Sequence, residues 1–226
     1  MSDAGFIVAA INHPGDSVND SSRRDDVSVL ASRPADIERL LDFMLNDWNG
    51  KAAIDPDKIG FFGFSKGGYT GLVLIGVDPD FKRVARRCTD TEGTCVQLQH
   101  GEFPPPLPHD VRIKAAVLAD PATSFAFTPN NLASIRIPLQ IWRSELGGNG
   151  VAAEGTEYVA RSLPGHPEIH VVPAAHFAFL APCSVELAAA VPRICVDTPP
   201  EFDRAAFHRT FDAEVVRFFS QQLDRK

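Results

Sequence analysis

The stretch Ile59-Gly60-Phe61-Phe62-Gly63-Phe64-Ser65-Lys66-Gly67-Gly68 decides the interpretation of the fold. Its first four residues form a short apolar run, which predicts a buried β-strand over residues 59–62. Apolar residues at helical spacing follow and predict a helix over residues 69–77. A strand that runs through Gly-x-Ser-x-Gly into a helix is the context of a nucleophile elbow, a tight turn that exposes a serine hydroxyl. The stretch therefore predicts that Ser65 is a nucleophile.

The elbow places demands on the residues around Ser65. We expect Gly63 and Gly67 to leave room for a close approach of the backbone. The following helix directs its first N–H groups and its positive dipole end at the serine. We therefore expect the backbone amide of Lys66, rather than its amine, to be one donor of an oxyanion hole. The alternative is a glycine-rich turn without chemistry.

Similar apolar runs predict four more strands, over residues 6–11, 113–119, 138–142 and 168–172. Helical spacing predicts a crossover helix over residues 37–48 with Pro34 near its start, and two later helices over about 154–163 and 204–223. Alternating strands and helices predict an α/β fold, with a mainly parallel sheet covered by helices on both faces. We expect a single domain over residues 1–226. A cysteine- and proline-containing excursion at about 78–112 either covers a site or is a plain surface loop.

Composition and charge exclude several classes of partner. The chain has 226 residues, of which 44% are hydrophobic and 23% charged, and its formal net charge is −7. Those fractions are close to globular averages. The negative charge, without a basic window, argues against nucleic acid and anionic lipid surfaces. No apolar run approaches the roughly 18 residues of a membrane-spanning helix, so we expect no membrane span.

The four cysteines form two local pairs, Cys88 with Cys95 and Cys183 with Cys195. Neither pair has the Cys-x-x-Cys spacing of a zinc site, so we expect no metal. Two short-loop disulfides would place the protein in a periplasm or outside the cell, whereas four reduced thiols would suit a cytoplasm. The sequence leaves the compartment open.

A serine nucleophile needs a base, and in this architecture the order along the chain is serine, acid, histidine. His176 follows the last predicted strand, where a loop at the carboxyl edge of the sheet can return an imidazole to Ser65. His166 precedes that strand, and His208 falls within the last predicted helix. We therefore expect His176 to be the base. The alternative is a structural histidine packed beside its phenylalanine neighbours.

Three segments together resemble a known family. They are Gly5-Phe6-Ile7-Val8-Ala9-Ala10-Ile11-Asn12-His13, Gly63-Phe64-Ser65-Lys66-Gly67-Gly68 and Ala175-His176-Phe177-Ala178-Phe179-Leu180. The chain resembles the predicted dienelactone hydrolase-like proteins, and it is also similar to the plasma platelet-activating-factor acetylhydrolases. The likeness spans most of the chain. It implies an α/β-hydrolase-type fold and a carboxylic ester hydrolase with a Ser-Asp-His triad, which acts on a small-molecule ester without a metal or organic cofactor.

The sequence leaves open which residue is the acid of the triad. In many α/β-hydrolases it follows the strand predicted here over residues 138–142, at a position that falls on Gly147 and cannot serve. Glu145 in the same loop and Asp120 after the preceding strand are the substitutes. In the acetylhydrolases the acid follows that preceding strand, so the resemblance assigns the role to Asp120. Asp120 could instead cap a helix beginning at Pro121, and Glu145 could be a solvated residue.

The resemblance also implies an N-terminally incomplete sheet. It places Met1 just before the family's fourth strand, so the strand between residues 6–11 and the elbow strand is expected to be missing, as is the loop that carries the second oxyanion donor. Unpaired strand edges would need rearrangement or another chain, so we expect that a homo-oligomer could form. The turn His13-Pro14-Gly15-Asp16 offers a replacement amide, or is an ordinary turn.

Three functions compete on these grounds. The leading hypothesis is a serine hydrolase of short-acyl or small esters that acts through an acyl-enzyme. The second is a catalytically weak or inactive relative that acts as a binding or interaction module, which the missing strands favour. The third is a thioesterase or peptidase with the same triad, because a fold does not fix the substrate.

Overall fold

The computed structural model describes residues 1–224, and its architecture is α/β. Four parallel strands form one sheet in the order β1-β2-β3-β4, with β1 at Ile59–Phe64, β2 at Ile113–Ala119, β3 at Leu139–Ser144 and β4 at Glu168–Val172. The helices are α1 (Val29–Asn46), α2 (Lys66–Leu74), α3 (Phe81–Arg87), α4 (Gly93–Gln99), α5 (Pro129–Leu132), α6 (Ala153–Ser162), α7 (Val185–Ala190) and α8 (Arg204–Leu223). The predicted fold class, an α/β fold with a parallel sheet, is confirmed.

Helices cover both faces of the sheet, as alternate residues of β2 demonstrate. Ala116 and Leu118 belong to a core shared with α2 and α6, whereas Ala115 and Val117 belong to a second core shared with α8. A strand buried on both faces is nearly all apolar, which explains the apolar run over residues 115–119; Lys114, near the start of β2, is only half-buried.

The strand predicted over residues 6–11 is wrong. The segment is not part of a sheet, and the backbone groups of residues 7–12 form no hydrogen bond with any residue of the described part of the chain. Ile7, Val8 and Ile11 are 45%, 56% and 37% exposed, and Phe6 packs against Phe219 of α8 with ring centroids 6.4 Å apart. A strand exists only beside another strand edge at about 4.8 Å. Because the backbone of residues 7–12 pairs with no strand in residues 1–224, the apolar pattern does not become a strand.

The crossover helix also differs from its prediction, because α1 begins at Val29 and contains Pro34 in its interior. Proline has no N–H to bond the carbonyl four residues earlier. That carbonyl, on Leu30, instead accepts a hydrogen bond from the Tyr69 hydroxyl of α2 at 3.1 Å. A contact from another helix thus replaces the bond that Pro34 cannot make. Helix α2 itself begins at Lys66, earlier than predicted.

Both predicted cysteine pairs lie at disulfide distance. The S–S separation is 2.17 Å for Cys88–Cys95 and 2.00 Å for Cys183–Cys195. The first pair joins α3 to α4 within the excursion at about 78–112. None of the helices described is both long and apolar enough to span a bilayer.

Candidate active site

The turn between β1 and α2 holds Ser65 in an unusual backbone conformation, with φ +55° and ψ −117°. A positive φ is unfavourable for a residue with a side chain, so the surroundings must hold the turn in place. Two bonds do so: the Ser65 amide donates to the carbonyl of Ala119 at 2.9 Å, and its carbonyl accepts from the amide of Ala122 at 3.0 Å. The sharp turn presents the Ser65 hydroxyl at the carboxyl edge of the sheet.

Only one of the two motif glycines gives the turn its room. A Cβ on Gly63 would lie 2.3 Å from the backbone oxygen of Gly67, a separation that real atoms do not reach. A Cβ on Gly67 would meet no heavy atom within 4 Å. The expectation that both glycines leave room for close approach is therefore wrong for Gly67, because its own side-chain direction faces open space.

His176 lies in the loop that follows β4, and its side chain is buried with 1% of the residue exposed. Its ring packs against that of Phe64, with centroids 4.6 Å apart, and its backbone amide donates to the carbonyl of Gly147 at 2.8 Å. The first contact packs against the imidazole ring, and the second holds the backbone that carries it. Its Nε2 atom lies 2.9 Å from Ser65 Oγ.

Asp120 directly follows β2 and is fully buried. One carboxylate oxygen, Oδ2, lies 2.9 Å from His176 Nδ1. A carboxylate can only accept hydrogen bonds, so Nδ1 carries the proton of the neutral ring and Nε2 is free to accept the Ser65 hydroxyl proton. The structure thus brings Ser65, His176 and Asp120 into one continuous chain of hydrogen bonds.

The other candidates from the sequence lie outside this chain. Glu145 is exposed, and its carboxylate bonds to no residue within 1–224. Asp120 is not a helix cap, because no helix begins at Pro121 and the next helical turn starts at Ser124. His208 Nε2 contacts the carbonyl of Ala178 at 2.9 Å, and His166 lies in the exposed turn before β4.

Lys66 has two distinct surroundings, one for its amide and one for its amine. The amide is the first of α2, where helix geometry supplies no acceptor, and it bonds to nothing else in the described chain. The amine lies 2.9 Å from Asp16 Oδ1 and 3.0 Å from the carbonyl of Arg24. The amine is therefore engaged in anchoring a loop, while the amide stays free beside Ser65.

Asp16 is the centre of that anchor, and sequence reasoning missed it. Arg33 of α1 donates to its second oxygen at 2.8 Å. Burial alone would raise the pKa of the Asp16 carboxyl, but hydrogen bonds and charge from Lys66 and Arg33 outweigh it and lower that pKa below its ordinary value. The only sequence signal was an acid in a His-Pro-Gly-Asp turn.

Two amides of the turn His13-Pro14-Gly15-Asp16, which the sequence suggested as a source of the replacement donor, are already engaged. The Gly15 amide already donates to Asp20 Oδ2 at 2.8 Å, and the Asp16 amide to the carbonyl of His13 at 3.1 Å. Pro14 has no amide hydrogen. Within residues 1–224, the His13 amide alone in this turn has no acceptor.

A cleft of about 440 Å³ adjoins the Lys66 anchor through Arg24. Its walls come from the loop over residues 21–26 and from the start of α4: Ser21, Ser22, Arg23, Arg24, Asp25, Asp26, Glu92, Gly93, Val96 and Gln97. The lining includes none of Ser65, Asp120 and His176, so this cleft does not define where a substrate meets the triad.

One group of side chains has the composition of a metal site, at a different place in the fold. Glu168 and His170 of β4 lie with Glu214 of α8, and their ligand atoms fall within 4.8 Å of one another. Arg217 donates to both carboxylates, with a 2.7 Å contact to Glu214, and His170 lies 2.8 Å from Glu168. Because the Arg217 guanidinium already contacts both carboxylates, this group is a cluster of ion pairs that joins α8 to the sheet.

No family model matches this chain, and no curated protein matches it. Among solved structures, it is similar to the esterase Pf2001 of Pyrococcus furiosus, at 13% identity and TM-score 0.45, over 87% of this chain and 64% of that one. It is also similar to an acylaminoacyl peptidase of Pyrococcus horikoshii, at 14% identity and TM-score 0.46, over 85% of this chain and 28% of that one. An acetyl ester-xyloside bifunctional hydrolase of Caldicellulosiruptor lactoaceticus matches at 18% identity and TM-score 0.37, over 72% of this chain and 59% of that one.

The chain thus spans less than two thirds of each of these three structures. At such identities and TM-scores, the likenesses carry no argument about activity. The functional argument rests on the geometry around Ser65.

Proposed function

We propose that the protein is a serine hydrolase that cleaves carboxylic esters, with Ser65 as nucleophile, His176 as base and Asp120 as acid. One observation carries the proposal: two successive 2.9 Å contacts join Ser65 Oγ to the imidazole and the imidazole to a buried carboxylate. The serine in this chain lies on a turn with positive φ between a strand and a helix. Geometry and roles, rather than sequence position, identify such a triad.

The reaction follows from these contacts. His176 Nε2 takes the hydroxyl proton while Ser65 Oγ bonds to the ester carbonyl carbon, and Asp120 stabilises the imidazolium that forms. The negative charge on the carbonyl oxygen is stabilised by the free amide of Lys66 at the positive end of α2.

Collapse of this intermediate breaks the bond to the alcohol, which leaves with the proton from His176. Water then attacks the acyl group on Ser65 as His176 takes its proton. The carboxylic acid product is released, and the proton returns from His176 to Ser65.

The proposed substrate is a small or short-acyl carboxylic ester, and the resemblance to the dienelactone hydrolase-like proteins implies ester hydrolysis. A thioesterase or a peptidase would use the same triad, and a thioester and a peptide anilide of the same acyl group distinguish these reactions from ester cleavage.

Turnover of a p-nitrophenyl ester series tests the proposal. We expect p-nitrophenyl acetate to be cleaved with a higher kcat/KM than the octanoate, and Ser65→Ala to abolish turnover. Ser2→Ala is the matched control, because Ser2 is exposed and lies in the first turn of the chain. A wild-type protein without turnover, or equal rates in Ser65→Ala, would contradict the proposed function.

A second candidate, an interaction module, is favoured by one specific observation. Strand β1 is at the edge of the sheet, and residues 7–12 lack backbone partners within residues 1–224. Open edges are the surfaces to which further strands add. Light scattering of the purified protein tests it: a stable oligomer without ester turnover would support this candidate, and a monomer with turnover would reject it.

We also propose an oxidising compartment, such as a periplasm or the cell exterior, on the basis of the two cysteine pairs. Quantifying free thiols in protein isolated from its native host tests this: no free thiol is expected, and four would contradict it.

A further inference from the structure

We propose that Ser144 is a positioning residue for the reaction, and that its hydroxyl holds the Asp120 carboxylate in place beneath His176. Nothing in the sequence marks this residue beyond its position as the polar last residue of β3. The inference rests on the proposed function, because it assigns Ser144 its role through Asp120 and His176.

The contacts of Asp120 provide the first step. Both of its oxygens are bonded by Ser144: the backbone amide donates to Oδ1 at 2.8 Å, and the hydroxyl donates to Oδ2 at 2.5 Å. Oδ2 is also the oxygen that accepts from His176. Ser144 therefore donates a hydrogen bond to each oxygen of the Asp120 carboxylate, and Oδ2 accepts from both Ser144 and His176.

Burial makes these hydrogen bonds from Ser144 important for Asp120. Asp120 and Ser144 are both completely buried, and among the described residues His176 is the one basic side chain within salt-bridge distance of this carboxylate. A buried charge without a permanent cation must be stabilised by hydrogen bonds. Of the three side-chain or amide donors that Asp120 receives, Ser144 supplies two.

The direction of the Ser144 hydroxyl is itself fixed. The Gly147 amide donates to Ser144 Oγ at 3.2 Å, which occupies an acceptor site and leaves the serine proton directed at Asp120. The carbonyl of the same Gly147 accepts from the His176 amide at 2.8 Å. Ser144 and Gly147 thus form a short network that links the loop of the acid to the loop of the base.

The backbone of Asp120 gives an independent reason for such support. Its φ of +44° lies in the left-handed region, which is uncommon for residues other than glycine. A backbone in this region persists where surrounding contacts hold it. Ser144 provides them from the neighbouring strand, where the Asp120 amide also donates to the carbonyl of Trp142 at 2.8 Å.

The test compares Ser144→Ala with two matched variants. Ser144→Thr keeps the hydroxyl, and Ser124→Ala removes a buried serine whose side chain faces Gly155 of α6 and forms no hydrogen bond with Asp120. We expect Ser144→Ala to lower kcat about tenfold, with KM nearly unchanged, as expected for the loss of one charge-assisted bond. Ser144→Thr should recover most of kcat, and Ser124→Ala should leave it unchanged.

A spectroscopic readout separates this inference from the proposed function. The proton between His176 Nδ1 and Asp120 should give a low-field proton resonance in the wild type and Ser124→Ala that shifts or broadens in Ser144→Ala. If the wild type cleaves no ester, the proposed function fails, and this resonance still tests the positioning role. A resonance unchanged in Ser144→Ala, its absence from the wild type, or equal kcat in Ser144→Ala and Ser124→Ala would overturn the inference.

Discussion

Replacing Asp120 with asparagine is the most specific perturbation of the hydrogen-bond chain. It turns one accepting oxygen into a donating NH₂ group and leaves the side-chain volume almost unchanged. The asparagine oxygen can still accept from the Ser144 amide, which lies 2.8 Å from Oδ1 in the wild type. The NH₂ group then occupies the position of Oδ2, where it faces His176 Nδ1 at 2.9 Å. Two donors cannot bond to each other, so the imidazole must move its proton to Nε2.

The magnitude follows from that change of tautomer. With its proton on Nε2, the ring faces Ser65 Oγ at 2.9 Å as a donor and cannot accept the hydroxyl proton. Loss of the correct tautomer in a serine triad of the same geometry costs about 10⁴ in kcat. We expect a fall of about 10³–10⁴ for Asp120→Asn, equivalent to about 4–5 kcal/mol of transition-state stabilisation.

The assay is steady-state hydrolysis of p-nitrophenyl acetate, with Glu145→Gln as the matched control. Glu145 is exposed and takes no part in the hydrogen bonds around His176, so its amide variant should keep kcat within about twofold, as expected for a surface substitution. A thermal melt verifies that both variants are folded. The reverse ranking, with Glu145→Gln the slower enzyme, would refute the reasoning and transfer the role of acid to Glu145.

Three further results are expected. Gly63→Ala should destabilise the protein by about 1–3 kcal/mol in urea denaturation, because its Cβ would meet backbone at 2.3 Å, whereas Gly67→Ala should change stability by no more than about 1 kcal/mol; equal losses would contradict this. Burial lowers the pKa of His13 from its ordinary 6.5, although Asp36 opposes the shift. The unfolded chain therefore binds that proton more readily, so the free energy of unfolding should fall as pH drops below 6.5, and His13→Gln should weaken this dependence; a steeper slope in the variant would refute it. Replacing Cys183 and Cys195 with serine should cost about 2–4 kcal/mol, measured as a lower Tm, because the bridge closes a segment with a sequence separation of 12; an unchanged Tm would contradict it.

Much of the fold could be predicted because its central strands, β2 and β3, are buried on both faces. Such strands are nearly all apolar, and residues 115–119 are a clear example. The elbow could be predicted because strand, glycine, serine and helix follow one another along the chain. The position of Asp120 came from the resemblance to a family, since an Asp-Pro pair on its own also predicts a helix cap.

The wrong predictions have a common physical cause. A local sequence pattern does not show which distant residues a segment contacts in the fold. Residues 6–11 have the pattern of a strand but pair with no strand, and in the turn over residues 13–16 the Gly15 amide is already bonded to Asp20. The role proposed for Ser144 could not be predicted from the sequence for the same reason. A single serine at the end of a strand has no periodicity, and its role arises from Asp120, 24 residues away in the sequence.

The most direct test of the central claim is covalent labelling of Ser65 by a fluorophosphonate, read out by mass spectrometry of the digested protein. Such a probe reacts only with a serine that a base has activated, so the account predicts one adduct, located on the peptide that contains Ser65. Ser65→Ala should show no adduct, and His176→Ala should show very slow labelling. A folded wild-type protein that remains unlabelled, or that carries its adduct on another serine, would contradict the account.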